Sequence, residues 1–182
     1  IIAEEIRDTF YLDKVVFVPT GKPPHKAISR VSDVEHRYNM VRSAVGTNPD
    51  FSVSRIEMET EGYVYTVDTI TRLKNMYGDT AKLFFIIGAD VVWDLPKWKD
   101  PMRLFSLCEF IVAFRPGYNR AEFEKEVDRI RKEYKAQISV ADTLAIDISS
   151  TNIRGRIRDK RSIRYLVPES VEEYIRKNGL YR

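Results

Sequence analysis

Leu83-Phe84-Phe85-Ile86-Ile87 is an unbroken apolar run, and Gly88-Ala89-Asp90 ends it abruptly. A short stretch with no polar alternation reads as a strand buried on both faces, the habit of parallel sheets. Val15-Val16-Phe17-Val18, stopped by Pro19, and Phe110 to Phe114, stopped by Arg115-Pro116-Gly117, repeat the pattern. Phe51 to Ile56 alternates apolar and polar, and Ile138 to Val140 offers a further strand. Helical spacing fills the intervals. Ile1, Ile2, Ile6 and Phe10 share one helical face, and Ser32 with Glu35 has capping-box spacing for a helix to about Val45. Val67, Ile70, Leu73 and Tyr77 mark a helix over 66–77 closed by Gly78. Asn119 to Gln137 is a charged helix, Asp147 to Asp159 a loop entering a helix, and Pro168 to Lys177 a last helix before Asn178-Gly179. Strands that alternate with helices predict a doubly wound α/β fold with a mostly parallel sheet. No repeat or linker divides the chain, so residues 1–182 are expected to form a single domain.

The bulk properties narrow the class. A net charge of +3 over 182 residues is too small to imply nucleic-acid affinity. The lone Cys108 excludes an internal disulfide, and its neighbours Leu107, Phe110 and Ile111 predict a buried, inert thiol. His25 and His36 lack the carboxylate or cysteine company of a metal site, so no metal ligands are expected. No apolar run approaches a membrane span, and the cytoplasm is the expected address. Oligomeric state is open, with room for a homo-oligomer. Ile1 stands inside a helical pattern, so further residues are expected upstream of it.

In open α/β sheets ligands bind beyond the carboxyl ends of strands. The unusual polar residues here lie there. Ser149-Ser150-Thr151 precede a helical stretch with Arg154 one turn inside, an arrangement suited to phosphate, although taken alone an ordinary helix cap is the commoner use. Pro23-Pro24-His25-Lys26 is a stiff turn that presents a cation or simply solvates it. Gly88-Ala89-Asp90 allows a close backbone approach and an acid for ribose hydroxyls, or a plain turn. Leu95-Pro96-Lys97-Trp98 puts a tryptophan in a loop, to stack on a flat ring or to close the core edge. Tyr65-Thr66 open a helix whose N–H groups suit a carboxylate, unless Thr66 caps them.

Taken in order, P-x-x-x-PPHK, YTxDT, GAD, LPKW, RPG and ISSTxIR resemble the bacterial nicotinate-mononucleotide adenylyltransferases over nearly the whole chain, to Asn178-Gly179-Leu180-Tyr181. The resemblance implies a Rossmann-like, nucleotidyltransferase-type fold. It implies transfer of AMP from ATP to nicotinate mononucleotide, yielding nicotinate adenine dinucleotide and pyrophosphate, with Mg²⁺ accompanying ATP and no tightly bound cofactor. It assigns Gly88, Asp90, Arg115, Ser149, Ser150, Thr151 and Arg154 to ATP, with Arg154 and Lys26 as the catalytic cations. Thr20, His25, Lys26, Tyr65, Thr66 and Trp98 fall to the mononucleotide. The chain departs from the family pattern at Val64, where Ser is usual, and at Thr20, often Asn. The family also opens on a central strand and GGTFDPxHxGH, whose histidines contact ATP. Ile1 aligns inside the helix after that motif, so those histidines are expected upstream and the first, central strand absent from the chain. Strands flanking that position would each have an unpaired edge. Two rival readings are a non-catalytic nucleotide-binding relative, and an adenylyltransferase for nicotinamide mononucleotide or a phosphopantetheine-type acceptor.

Overall fold

The computed structural model describes residues 1–21, 32–114, 117, 119–144, 146 and 148–182. In chain order its elements are α1 (Ile2–Thr9), β1 (Val15–Phe17), α2 (Val34–Val45), β2 (Phe51–Val53), α3 (Thr66–Tyr77) and β3 (Phe84–Gly88). A 3₁₀ helix (Ala89–Lys97), α4 (Pro101–Leu107), β4 (Glu109–Phe114), α5 (Arg120–Tyr134), β5 (Ile138–Asp142), α6 (Ser150–Arg158) and α7 (Glu169–Lys177) complete it. All strand pairs are parallel, as the apolar runs predict. The strands lie in two sheets, ordered β1-β2 and β3-β4-β5, each within one of two compact units.

The first unit is Ile1–Leu12 with Val64–Ala145. Its centre is β4, which is buried on both faces. Odd positions Ile111 and Ala113 pack with Ile6 of α1 and Ala141 of β5. The even positions take the opposite face, as a period of two requires. Phe110 meets Phe105 of α4 at 5.1 Å between ring centroids, and Phe114 meets Phe123 of α5 at 4.8 Å. Helices thus cover both faces of this sheet, which is the doubly wound arrangement. Edge strand β3 is less enclosed than its sequence suggests: Phe84, Phe85 and Ile86 are half-buried. Among the described residues it pairs only with β4. Gly78 stops α3 with φ 78°, a backbone shape that glycine takes without a Cβ clash.

Asp13–Tyr63 with Ile146–Arg182 form the second unit. Here β1 and β2 pair from Val15↔Phe51 to Phe17↔Val53. Val15 is buried but Val16 and Phe17 only partly, because β1 too has one strand neighbour among the described residues. Ile153, Ile163, Val171 and Ile175 make this unit's core, with Met40 and Leu180 against it. At full burial each such side chain contributes about 1.5–3 kcal/mol.

Several local expectations need correction. Asp33, not Ser32, caps α2: its carboxylate accepts from Glu35 N–H at 2.7 Å, and a full charge suits a helix start better than a hydroxyl. Ser32 instead meets the Tyr181 hydroxyl at 3.0 Å. His36, on the same helix, has its Nδ1 3.0 Å from the Tyr174 hydroxyl of α7. β2 ends at Val53, after which Ile56 N–H turns to the Ser54 hydroxyl. The supposed loop around Leu95-Pro96 is the end of the 3₁₀ helix, which buries Ala89, Val92 and Leu95. Helix α4 has no counterpart in the sequence reading, although Asp100-Pro101 supplies an N-cap and a proline at the first helical position. Cys108 behaves as expected: burial, then the charge of Glu109, pushes its thiol up to about 12. No helix among the described residues is long and apolar enough to cross a membrane.

Candidate functional site

In the first unit the parallel register brings Gly88 opposite Ala113, so the segments after β3 and β4 leave the sheet at one edge. Gly88 ends β3 and caps the 3₁₀ helix. A Cβ on it would stand 2.5 Å from Asp90 Oδ1, so the absence of a side chain is what lets that exposed carboxylate fold back along the strand end. Trp98 follows directly after the 3₁₀ helix, half-buried, its ring edge-on to Phe85 at 6.1 Å. It therefore serves the core edge on one side and leaves part of its surface exposed.

Helix α3 begins in the same unit. Tyr65 is its N-cap residue and supplies no side-chain cap, and Thr66 does not cap it either. Tyr65 C=O accepts from Asp68 and Thr69 N–H, which leaves the Thr66 and Val67 N–H groups pointing out of the first turn. Lys99, one residue past Trp98, lies over the Tyr65 ring at 4.3 Å and pairs with Asp68 at 3.0 Å. Val64, where the family pattern has Ser, is buried, so its side chain packs inward.

The second unit holds the hydroxyl-rich helix start. Ser149 caps α6, its Oγ accepting from Asn152 N–H at 3.1 Å. The cap reading is thus correct for Ser149. Ser150 and Thr151 are exposed, and Arg154 reaches back so that Nη2 donates to Thr151 Oγ1 at 3.3 Å. Hydroxyl, guanidinium and first-turn N–H groups therefore occur together at one helix end, a donor set suited to phosphate.

Thr20 is exposed just after β1 and the buried Pro19. His25, Lys26 and Arg115 lie outside the described residues. Sequence reading missed Arg37, whose guanidinium donates to Gly21 C=O at 3.3 Å and to Ser32 C=O at 3.2 Å. Burial lowers its pKa, while Tyr181, Asp33 and Glu57 oppose that shift. Glu57 also accepts from Gly21 N–H at 3.2 Å. These groups fix the two residues that flank 22–31. The carbonyl partners of Arg37 lie five and sixteen residues away, so no local pattern in the sequence signals this role. Among the described residues, no three His, Cys, Asp or Glu side chains group closely enough to hold a metal ion.

A parallel α/β architecture with a phosphate-type helix start defines the class, and a family model described as cytidylyltransferase-like matches residues 1–156. A probable nicotinate-nucleotide adenylyltransferase of Thermoanaerobacter sp. is 47% identical over all 182 residues, which span 86% of that relative. Its namesake in Moorella thermoacetica is 44% identical over the whole chain and 84% of its own length. That of Tropheryma whipplei is 42% identical, with 91% of its length covered. The chain belongs to this nicotinate-nucleotide adenylyltransferase family within the cytidylyltransferase-like nucleotidyltransferases. The fold agrees: the Plasmodium falciparum nicotinic acid mononucleotide adenylyltransferase, solved with NaAD, superposes with a TM-score of 0.77 at 16% identity. That match covers 99% of this chain and 88% of the parasite chain.

Proposed function

We propose that this protein transfers AMP from ATP to nicotinate mononucleotide in the cytoplasm, and that residues 1–182 belong to one nucleotidyltransferase domain. The 5′-phosphate oxygen of the mononucleotide attacks the α-phosphorus of ATP. The bond from that phosphorus to the bridging oxygen breaks, and pyrophosphate leaves with the electron pair. Such a displacement needs two anions held in line and their charge offset, rather than covalent help from the protein.

The residues divide that labour. Ser150, Thr151 and Arg154 hold the triphosphate, with Ser149 keeping the helix start in shape, and Mg²⁺ arrives with ATP as part of the substrate. Gly88 and Asp90 border the adenosine, with Arg115 on the nucleotide side. Trp98 stacks on the pyridine ring, and the first turn of α3 at Tyr65 and Thr66 receives its carboxylate. Thr20, His25 and Lys26 take the mononucleotide phosphate. Family membership over the whole chain carries the activity. The uncapped start of α3 supports the acid as acceptor, since a helix N-terminus favours an anion over a neutral amide.

The test is product analysis with the full gene product. ATP and nicotinate mononucleotide should give equal amounts of nicotinate adenine dinucleotide and pyrophosphate, whereas CTP or a phosphopantetheine acceptor gives little. Absence of the dinucleotide, with ATP bound, would favour the non-catalytic reading.

A further inference from the structure

Lys99 belongs to none of the motifs, yet its ammonium is fixed from two sides. Nζ lies 4.3 Å from the centroid of the Tyr65 ring and 3.0 Å from Asp68 Oδ2. Tyr65 is the N-cap of α3, and Asp68 is the acid of its first turn. Asp68 suits the helix dipole by itself, but its charge repels any second anion that approaches the same N–H groups. Lys99 cancels that charge at the spot where it would do harm. Both side chains are about half exposed, so the pair adds little to stability and its loss leaves the fold intact.

We propose that Lys99 is a specificity-determining residue for the acceptor: by neutralising Asp68, it lets the start of α3 take a pyridine carboxylate in preference to a carboxamide. The inference rests on the function proposed above and deepens it. Lys99 follows Trp98 directly, so ring and carboxylate are served by adjacent residues. The amide, being neutral, responds weakly to the charge on either side chain.

The experiment compares kcat/KM for the acid and amide mononucleotides at low salt in wild type, Lys99→Met, Asp68→Asn and the double variant. Lys99→Met should lower the acid-to-amide ratio about tenfold, and added salt should shrink that difference. Asp68→Asn should raise the ratio. The double variant, with both charges gone, should return to within about twofold of wild type, a rescue that a merely structural lysine would not show. A ratio unmoved by Lys99→Met, or a double variant as poor as Lys99→Met, would overturn the assignment. Failure of the underlying function shows differently, as no dinucleotide from wild type with either acceptor.

Discussion

Helices α6 and α3 both begin at residues proposed to meet an anion, but they begin in opposite ways. At α6, Ser149 closes the helix with its own hydroxyl, and Arg154 folds back onto Thr151. At α3, a tyrosine occupies the cap position and its side chain offers the backbone nothing. Replacing a good cap by a residue that cannot cap costs about 1 kcal/mol, so α3 carries a local defect that α6 does not. Under the proposed function the difference follows the ligands. A triphosphate brings several charges and is met by side chains that add a cation. A ring carboxylate brings one charge to a short turn, where a serine or aspartate cap would compete for the same N–H groups. Helices α1 and α7 also begin without a side-chain cap, so the open start of α3 counts towards a ligand only together with Lys99 over the Tyr65 ring.

The comparison can be broken at its strongest point first. Arg154→Ala removes the guanidinium that bonds Thr151 at the start of α6 and should lower kcat by roughly a hundredfold or more in steady-state pyrophosphate release. Arg154→Lys should restore little, because an ammonium lacks the fork. A loss below threefold would remove Arg154 from the chemistry.

Exchanging the helix starts tests the contrast itself. Tyr65→Asp gives α3 a cap of its own, so thermal unfolding should hold or rise while the acid's KM increases about tenfold. An unchanged KM would mean that the open turn serves no ligand. Ser149→Ala should do the reverse at α6, lowering stability by about 1 kcal/mol in urea unfolding.

The smallest effect belongs to the interior. Cys108 has its thiol pushed up from 9.0 to about 12, so above pH 9 the unfolded chain releases a proton that the folded chain keeps. Stability should therefore fall as pH rises from 9 towards 12, and Cys108→Ala should flatten that slope. Alkylation of the native protein at pH 8.5 should be slow and should track unfolding. Fast labelling would contradict the burial.

Much of this was legible in the residues. Gly78 and the apolar spacing placed α3 to the residue, because a positive φ at its end leaves few alternatives. The runs at Val15, Leu83 and Phe110 placed three parallel strands. The 3₁₀ helix was not legible, since Pro96 reads as a loop breaker although it is tolerated there in the last turn, directly after buried Leu95. Nor were Arg37 and Lys99. Arg37 bridges carbonyls sixteen and five residues away, and Lys99 pairs with an acid thirty-one residues earlier in the chain. Local pattern carries no trace of such partners. Of the segments named for phosphate and ring, Ser149 proved to be a cap and Trp98 half a core residue.

The central claim is that this family member uses the acid, and that the open start of α3 is the reason. Its most direct test is kcat/KM of the full gene product with nicotinate and nicotinamide mononucleotides, side by side at saturating ATP and Mg²⁺. One carboxylate contact at the open first turn predicts a preference for the acid of about tenfold or more. Equal values for the two acceptors, or a preference for the amide, would contradict it.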